Sequence, residues 1–294
     1  MPRLSAKDFP QELLDYYDYY AHGRITKREF LAKAARFAVG GATALSLLNA
    51  LSPNYALATQ VEFTDPDILP EYIHYPSPQG HGEVRAYFVR PAKIDSKRPA
   101  VVVVHENRGL NPYIEDVARR VAKAGYLALA PDGLSSVGGY PGNDDKGREL
   151  QAQVDPTKLM NDFFAAVNFM LSHPQGTGKV GITGFCYGGG CQCCCCGLPR
   201  TGSSSAFYGK QPPAESVPNI RAPLLLHYAG RDTRINEGWP AYEAALKANN
   251  KIYEAWVYPD VNHGFHNDST PRYDQAAADL AWQRTLAWFE RYLS

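Results

Sequence analysis

The segment Gly184-Phe185-Cys186-Tyr187-Gly188 sets a cysteine between two glycines, directly after the strand-like run KVGITGF. A nucleophile carried on a sharp strand-to-helix turn needs this pattern, because the flanking backbones come too close to leave room for a Cβ. The turn lifts the sulfur above the sheet edge and aims it at the start of the next helix, whose N–H groups favour a thiolate. Two more residues have the types that such a nucleophile requires. Asp232 follows the strand-like APLLLHYAG, in AGRDTRIN, and His263 follows YEAWVYP, in PDVNHGFHND. A histidine takes the thiol proton and later returns one to a leaving group. An aspartate behind it fixes the tautomer and steadies the imidazolium. Singly, Asp232 reads as a turn or cap residue and His263 as a turn histidine. Together they follow the chain order nucleophile, acid, histidine. Each also falls at the C-terminal end of a strand, where open α/β sheets hold their ligands.

These residues need a sheet to carry them, and from about Val61 onward the text supplies one. EYIHYPSP and GEVRAYFVRPA alternate like antiparallel strands. PAVVVVHE is a β-branched run, as in a strand buried on both faces. YIEDVARRVAKAGY has helical spacing, LALAPDG is a short buried strand, and DGLSSVGGYPGNDDKG is a long loop of the binding or lid kind. PTKLMNDFFAAVNFMLSH opens with a proline and carries the apolar stripe Leu159, Phe163, Val167, Met170. TPRYDQAAADLAWQRTLAWFERYL closes the chain as an amphipathic helix. Strands alternating with helices predict an α/β fold, with a mostly parallel central sheet and helices on both faces.

VVVVHENRGLN ends an earlier core strand, where a backbone N–H of the following loop can serve as an oxyanion donor. HENRGLNPYIEDVARRVAKAGY, APDG, GKVGITGFCYGG, AGRD and NHGF together resemble the dienelactone hydrolase family of α/β-hydrolases, over about residues 70–294 apart from one segment. The resemblance implies hydrolysis of a small-molecule ester, lactone or thioester, with no cofactor. It makes Cys186 the nucleophile, His263 the base and Asp232 the orienting acid. It also makes Glu106 the glutamate that contacts the resting cysteine and controls its ionisation, and it places the oxyanion hole at the backbone N–H groups of Asn107 and Tyr187. The family's founding enzymes hold a substrate carboxylate with two arginines. The one just after the histidine motif is absent, since HGFHND offers His266 and Asn267 instead. Arg148, in the long loop, is a candidate for the other. Arg108 and Arg234, near strand ends, are further candidates for an anion, and both read more simply as solvated loop arginines.

The chain of 294 residues has 30 Lys+Arg against 30 Asp+Glu, so no basic stripe is present to neutralise nucleic-acid phosphates. Its 45% hydrophobic share suits a globular protein with a large core. Residues 1–58 read as an extension ahead of a hydrolase domain at 59–294. In it TKREFLAK, the apolar AARFAVGGATALSLLNAL and the small-x-small site Ala56-Leu57-Ala58 are the parts of an export signal. The pattern resembles a twin-arginine signal with Lys27-Arg28 in the arginine positions. Two locations follow from it, periplasmic by such export or cytoplasmic. Arg36, Gly40 and Gly41 interrupt the run, so no stable membrane span is expected. ELLDYYDYYAHG has helical spacing and no visible chemistry.

All six cysteines lie within residues 186–196. Cys193 to Cys196 are adjacent, so on a helix they point in four directions, unlike the paired spacing of zinc ligands. Disulfides between neighbours would be strained. The genetic code offers another reading. Cysteine codons are TGT or TGC, and two in succession read one base later give valine or alanine. Serine runs of AGC and AGT shift the same way. Residues 191–206 so shifted give an Ala/Val-rich helix, a turn and a strand LAAAVPFYG, which resembles the family's usual text. We therefore read 191–206 as a frame-shifted stretch. As written, Gly197, Pro199 and Gly202 would break the helix behind the nucleophile, and three serines would enter a buried strand. A catalytically inactive product that retains the fold is the alternative. A nucleotide-binding role lacks both G-x-G-x-x-G and a P-loop lysine.

Overall fold

The computed structural model describes residues 4–195, 197 and 201–294, the side chains of 192–195 excepted. The strands are β1 (Ile68–Ser77), β2 (Gly82–Pro91), β3 (Arg98–Val104), β4 (Leu127–Pro131), β5 (Gly176–Phe185), β6 (Thr201–Phe207), β7 (Leu224–Ala229) and β8 (Tyr253–Tyr258). The helices are α1 (Gln11–Ala21), α2 (Lys27–Ala34), α3 (Ala44–Leu51), α4 (Pro112–Lys123), α5 (Asp144–Gln151), α6 (Pro156–Leu171), α7 (Tyr187–Cys195), α8 (Thr233–Asn236), α9 (Trp239–Ala248) and α10 (Gln275–Leu293). The strands form one sheet in the order β1-β2-β4-β3-β5-β6-β7-β8, antiparallel at β1/β2 and β2/β4 and parallel elsewhere. This is the α/β-hydrolase architecture.

The β-branched run of β3 is buried on both faces, and its alternation divides the core. Val101 and Val103 pack with Val117 and Val121 of α4 and Phe289 of α10, while Val102 and Val104 pack with Phe163 and Val167 of α6. Two helices longer than a single turn went unread in the sequence. Asn143 caps α5 by accepting the Lys146 N–H (3.0 Å), so Arg148 is helical rather than a loop residue. The other is α9, which packs beside β7.

The serine run forms β6, in the middle of the parallel sheet. Ser203, Ser204 and Ser205 are fully buried. Ser205 Oγ lies 2.8 Å from Thr285 Oγ1, whereas the hydroxyls of Ser203 and Ser204 have no partner among the described residues. The helix after the nucleophile is described only as far as Cys195. The side chains of Cys193–Cys196, which the sequence reading weighed as metal or disulfide ligands, lie outside the described residues, as does Pro199.

Helices α1 to α3 enclose a small core of their own around Leu13, Tyr17, Phe30, Leu48 and Leu51. The apolar run of the extension is not one helix, since Gly40 and Gly41, both at positive φ, separate α2 from α3. Among the described residues no helix is long and apolar enough to cross a membrane.

Candidate active site

Cys186 sits in the left-handed region, at φ 54°, where β5 turns into α7. The flanking glycines are required by contact. A Cβ on Gly184 would lie 2.3 Å from the Gly188 carbonyl oxygen, and one on Gly188 would lie 2.3 Å from that of Val104. The Cys186 N–H donates to the Phe207 carbonyl (3.0 Å), and the Cys186 carbonyl accepts from the Gly190 N–H (3.2 Å). Strand β6 and helix α7 thus pin the bend from both sides.

Asp232 does two jobs that the sequence reading set as alternatives. One oxygen caps α8 by accepting the Ile235 N–H (3.3 Å), and the other lies 2.5 Å from His263 Nδ1. A ring nitrogen of His263, a ring nitrogen of His22 and Cys186 Sγ all lie within 4.8 Å of one another.

His22 was missed by the sequence reading, which assigned no chemistry to ELLDYYDYYAHG. Its Nε2 lies 3.2 Å from Cys186 Sγ. Asp18, one turn earlier, has a carboxylate oxygen 3.2 Å from His22 Nδ1. Arg234 and Arg272 hold the same carboxylate, at 3.2 and 3.3 Å. The available signal was the i, i+4 spacing of an acid and a histidine at a helix end.

The loop after β3 is fixed by a buried histidine. His105 Nε2 accepts the Gly133 N–H (3.1 Å), so its Nδ1 carries the proton and donates to the Glu106 carbonyl (2.6 Å). Asn107 Nδ2 donates to the Ala21 carbonyl at the end of α1 (3.0 Å). The Glu106 side chain accepts from Asn267 Nδ2 (3.0 Å), so the residue found in place of the family's arginine anchors the glutamate. Burial pushes the Glu106 carboxyl up, against the opposing charge of Arg108. Tyr187 opens α7 and lines a cleft of about 370 Å³ that reaches Cys186. Met160, Pro213 and Ile235 make much of its wall apolar.

Of the three candidate arginines, the structure brings only Arg234 to this cleft. Arg108 pairs with Asp144 (2.6 Å) in a separate cavity of about 210 Å³. Arg148 lines that same cavity and donates to the Tyr20 carbonyl (2.8 Å).

The charges around the sulfur dominate its ionisation. Burial pushes the thiol up, but the imidazoles of His22 and His263 overcome it and hold Cys186 well below the ordinary thiol range. Burial opposes the charge on His263, yet Asp232, Asp18 and Cys186 together push it up to about 10. His22 is raised too, with Cys186 and Asp18 outweighing its burial. Sulfur and two imidazoles are ligand types that bind zinc. Here the Arg234 guanidinium lies 3.4 Å from His22 Nε2 and 3.2 Å from His263 Nδ1, which favours an anion at the centre over a metal cation.

A raised histidine stabilises the fold fully below about 6.5, its ordinary value, and that contribution fades as pH rises through about 10. Asp232→Asn is expected to bring the His263 titration down by more than about one unit, since an opposite charge in contact shifts a group by about 1–3 units. Proton NMR of the imidazole C2–H measures it. An unchanged titration would mean that Asp232 does not set the charge of that ring.

A model of the dienelactone hydrolase family matches residues 84–293, and a YqhI-like model matches residues 1–38. A candidate carboxymethylenebutenolidase from Escherichia coli (strain K12) is 33% identical over 252 residues, covering 80% of this chain and 92% of that one. A candidate hydrolase fragment, YghX, also from Escherichia coli (strain K12), is 84% identical over 115 residues, which is 39% of this chain and 98% of the fragment. The crystal structure of a candidate dienelactone hydrolase from Klebsiella pneumoniae subsp. pneumoniae MGH 78578 superposes with a TM-score of 0.70 at 29% identity, covering 76% of this chain and 99% of that one. With most of its length matched in sequence and in fold, the chain belongs to the dienelactone hydrolase family.

Proposed function

We propose that the protein hydrolyses an ester, lactone or thioester with Cys186 as nucleophile, His263 as proton carrier and Asp232 as the residue that orients it. The observation that carries this reading is a cysteine at φ 54° on the strand-to-helix bend, its sulfur beside an imidazole backed by a carboxylate at 2.5 Å. The thiolate attacks the carbonyl carbon, and the carbonyl electron pair moves onto oxygen. Backbone N–H groups of Asn107 and Tyr187 are the donors proposed for that oxyanion. Collapse breaks the carbon–oxygen bond, and the leaving oxygen takes the His263 Nε2 proton. Neutral His263 then takes a proton from water as its oxygen adds to the thioester, and the thiolate is expelled. Incubation with p-nitrophenyl acetate, acid quench and peptide mass spectrometry test the route. An acetyl group on the Cys186 peptide is expected. Steady nitrophenol release with no acetyl there at any time would overturn it.

The cleft selects for apolar substrates in this reading. Arg108 is paired with Asp144 in a separate cavity, and Arg234, the one candidate arginine in the cleft, is held by Asp18. Met160, Pro213 and Ile235 face the acyl portion instead. From acetyl to butyryl p-nitrophenyl esters, kcat/KM is expected to rise about fourfold per methylene, as burial of a CH₂ contributes about 0.8 kcal/mol. A flat or falling series would place the acyl group elsewhere.

We further propose that residues 1–58 stay attached to the domain at 59–294 rather than leaving as a cleaved signal. The buried core of α1 to α3 and the Asp18–Arg272 pair support this. Intact mass of the purified protein tests it, and a mature chain beginning at Thr59 would refute it. A second reading, a fold-retaining product without turnover, draws support from the unpaired hydroxyls of Ser203 and Ser204 in the sheet that carries Cys186.

A further inference from the structure

We infer that His22 is a further catalytic residue, delivered from the N-terminal extension, which with Asp18 holds the Cys186 sulfur as a thiolate in the resting enzyme while His263 moves the protons of the reaction. The inference deepens the proposed cysteine chemistry and rests on it.

Its geometry is that of a second carboxylate–imidazole dyad. His22 Nε2 is 3.2 Å from Sγ, whereas His263 Nε2 meets no partner at hydrogen-bond geometry among the described residues. His22 caps the C-terminus of α1, and its backbone N–H donates to the Asp18 carbonyl (3.0 Å). Its Nδ1 lies 2.7 Å from that same carbonyl and 3.2 Å from the Asp18 carboxylate. Two acceptors at Nδ1 fix the proton there and turn Nε2 toward the sulfur. The negative end of α1 further favours a charged ring. The two rings stand edge to face, 4.7 Å apart, so they do not compete for one position.

The extension is fastened on both sides of His22. The Ala21 carbonyl accepts from Asn107 Nδ2, the Tyr20 carbonyl from Arg148 Nη1, and Gln11 Nε2 donates to Asn262 (2.6 Å). Asn107 is also the residue proposed to supply an oxyanion donor, so docking of α1 and assembly of the site share a contact. The charged groups that face the sulfur come from each element packed on it. They are His22 and Asp18 from α1, His263 from the loop after β8, Asp232 and Arg234 at α8, Glu106 from the loop after β3, Arg272 ahead of α10, and Lys210 in the cleft.

The division of labour balances. The resting pair is a thiolate beside imidazolium His22. His263 gives its proton to the leaving oxygen and regains one from water, and the expelled thiolate returns to a His22 that stayed protonated throughout.

The test is the pH profile of Cys186 alkylation by iodoacetamide in the full-length protein, read with acylation and deacylation rates on p-nitrophenyl acetate. His22→Gln is expected to raise the alkylation inflection by at least about one pH unit and to slow alkylation about tenfold at pH values below the inflection of the unaltered protein, the rate effect of one unit of thiol ionisation. It should slow acylation by a similar factor and leave deacylation within about twofold. Asp18→Asn should act in the same direction and more weakly, with added imidazole restoring alkylation in His22→Gln. The idea is overturned if the His22→Gln profile overlays that of the unaltered protein, or if Asp18→Asn and added imidazole both leave the alkylation rates unmoved. Alkylation does not require turnover, so a wild-type protein that forms no acyl-enzyme would sink the hydrolase reading while still reporting on His22.

Discussion

Cys186→Ala is expected to lower ester turnover by about 10⁴-fold or more, as removal of a nucleophile from a coupled triad does elsewhere. The variant should still fold. Alanine meets the same left-handed backbone as cysteine, at φ 54°, and the bend is held by backbone bonds to Phe207 and Gly190 that need no side chain. Its electrostatics will change more than its structure. His22 and His263 both owe part of their charge to the Cys186 sulfur, so both should titrate lower in the variant. Cys186→Ser sharpens the experiment. An alcohol is not ionised by two neighbouring imidazoles at neutral pH, and a charged His263 cannot act as its base. Serine should therefore fall nearly as far as alanine while His263 holds its proton, and recover in part only as pH rises through the His263 titration, which loss of the thiolate moves below its value of about 10 in the unaltered protein. Alanine retaining more than about one part in a hundred of the activity would mean that another nucleophile operates.

The elbow was legible because its demand is steric. Two glycines around a cysteine after a strand admit few explanations, and the contacts of Gly184 with Gly188 and of Gly188 with Val104 are what those glycines make possible. Asp232 and His263 were legible because strand ends are legible. His22 was not, since it lies 164 residues from Cys186 and only the folded chain brings its helix end to the sulfur. Two of the three candidate arginines lie outside the cleft for a related reason. A sequence places Arg108 near a strand end and Arg148 in the long loop, but it does not show that Asp144 and the Tyr20 carbonyl take up their donors. Asn267 shows the limit from the other side. Its position marked a missing arginine, while its role, the hydrogen bond to Glu106, depends on a fold that joins residues far apart in the chain.

Ser203→Ala and Ser204→Ala are each expected to stabilise the protein, against the usual rule that substitutions in a buried strand destabilise. Both hydroxyls are buried without a partner among the described residues, and such a group costs about 1–3 kcal/mol. Removing one oxygen relieves that cost without adding volume. The two side chains point to opposite faces of β6, so their effects should largely add. At about 2–4 °C per kcal/mol for a domain of this size, the double variant should melt about 4–24 °C higher. Ser205→Ala is the control on the same strand. Its hydroxyl meets Thr285 Oγ1, which also lies 3.1 Å from His227 Nε2, so its removal should stabilise nothing. If all three variants melt alike, unpaired hydroxyls are not what distinguishes this strand. If Ser203 and Ser204 gain where Ser205 does not, β6 holds residues that its burial disfavours, as expected of text shifted out of frame. The gain would also reach the site, because β6 supplies the Phe207 carbonyl that receives the Cys186 N–H. A strand that costs stability to bury lets the bend open more often, and an opened bend carries no aligned thiolate. The double variant should therefore raise both the melting temperature and the fraction of molecules that give an acyl burst, and a rise in the first without the second would separate the health of the sheet from that of the nucleophile.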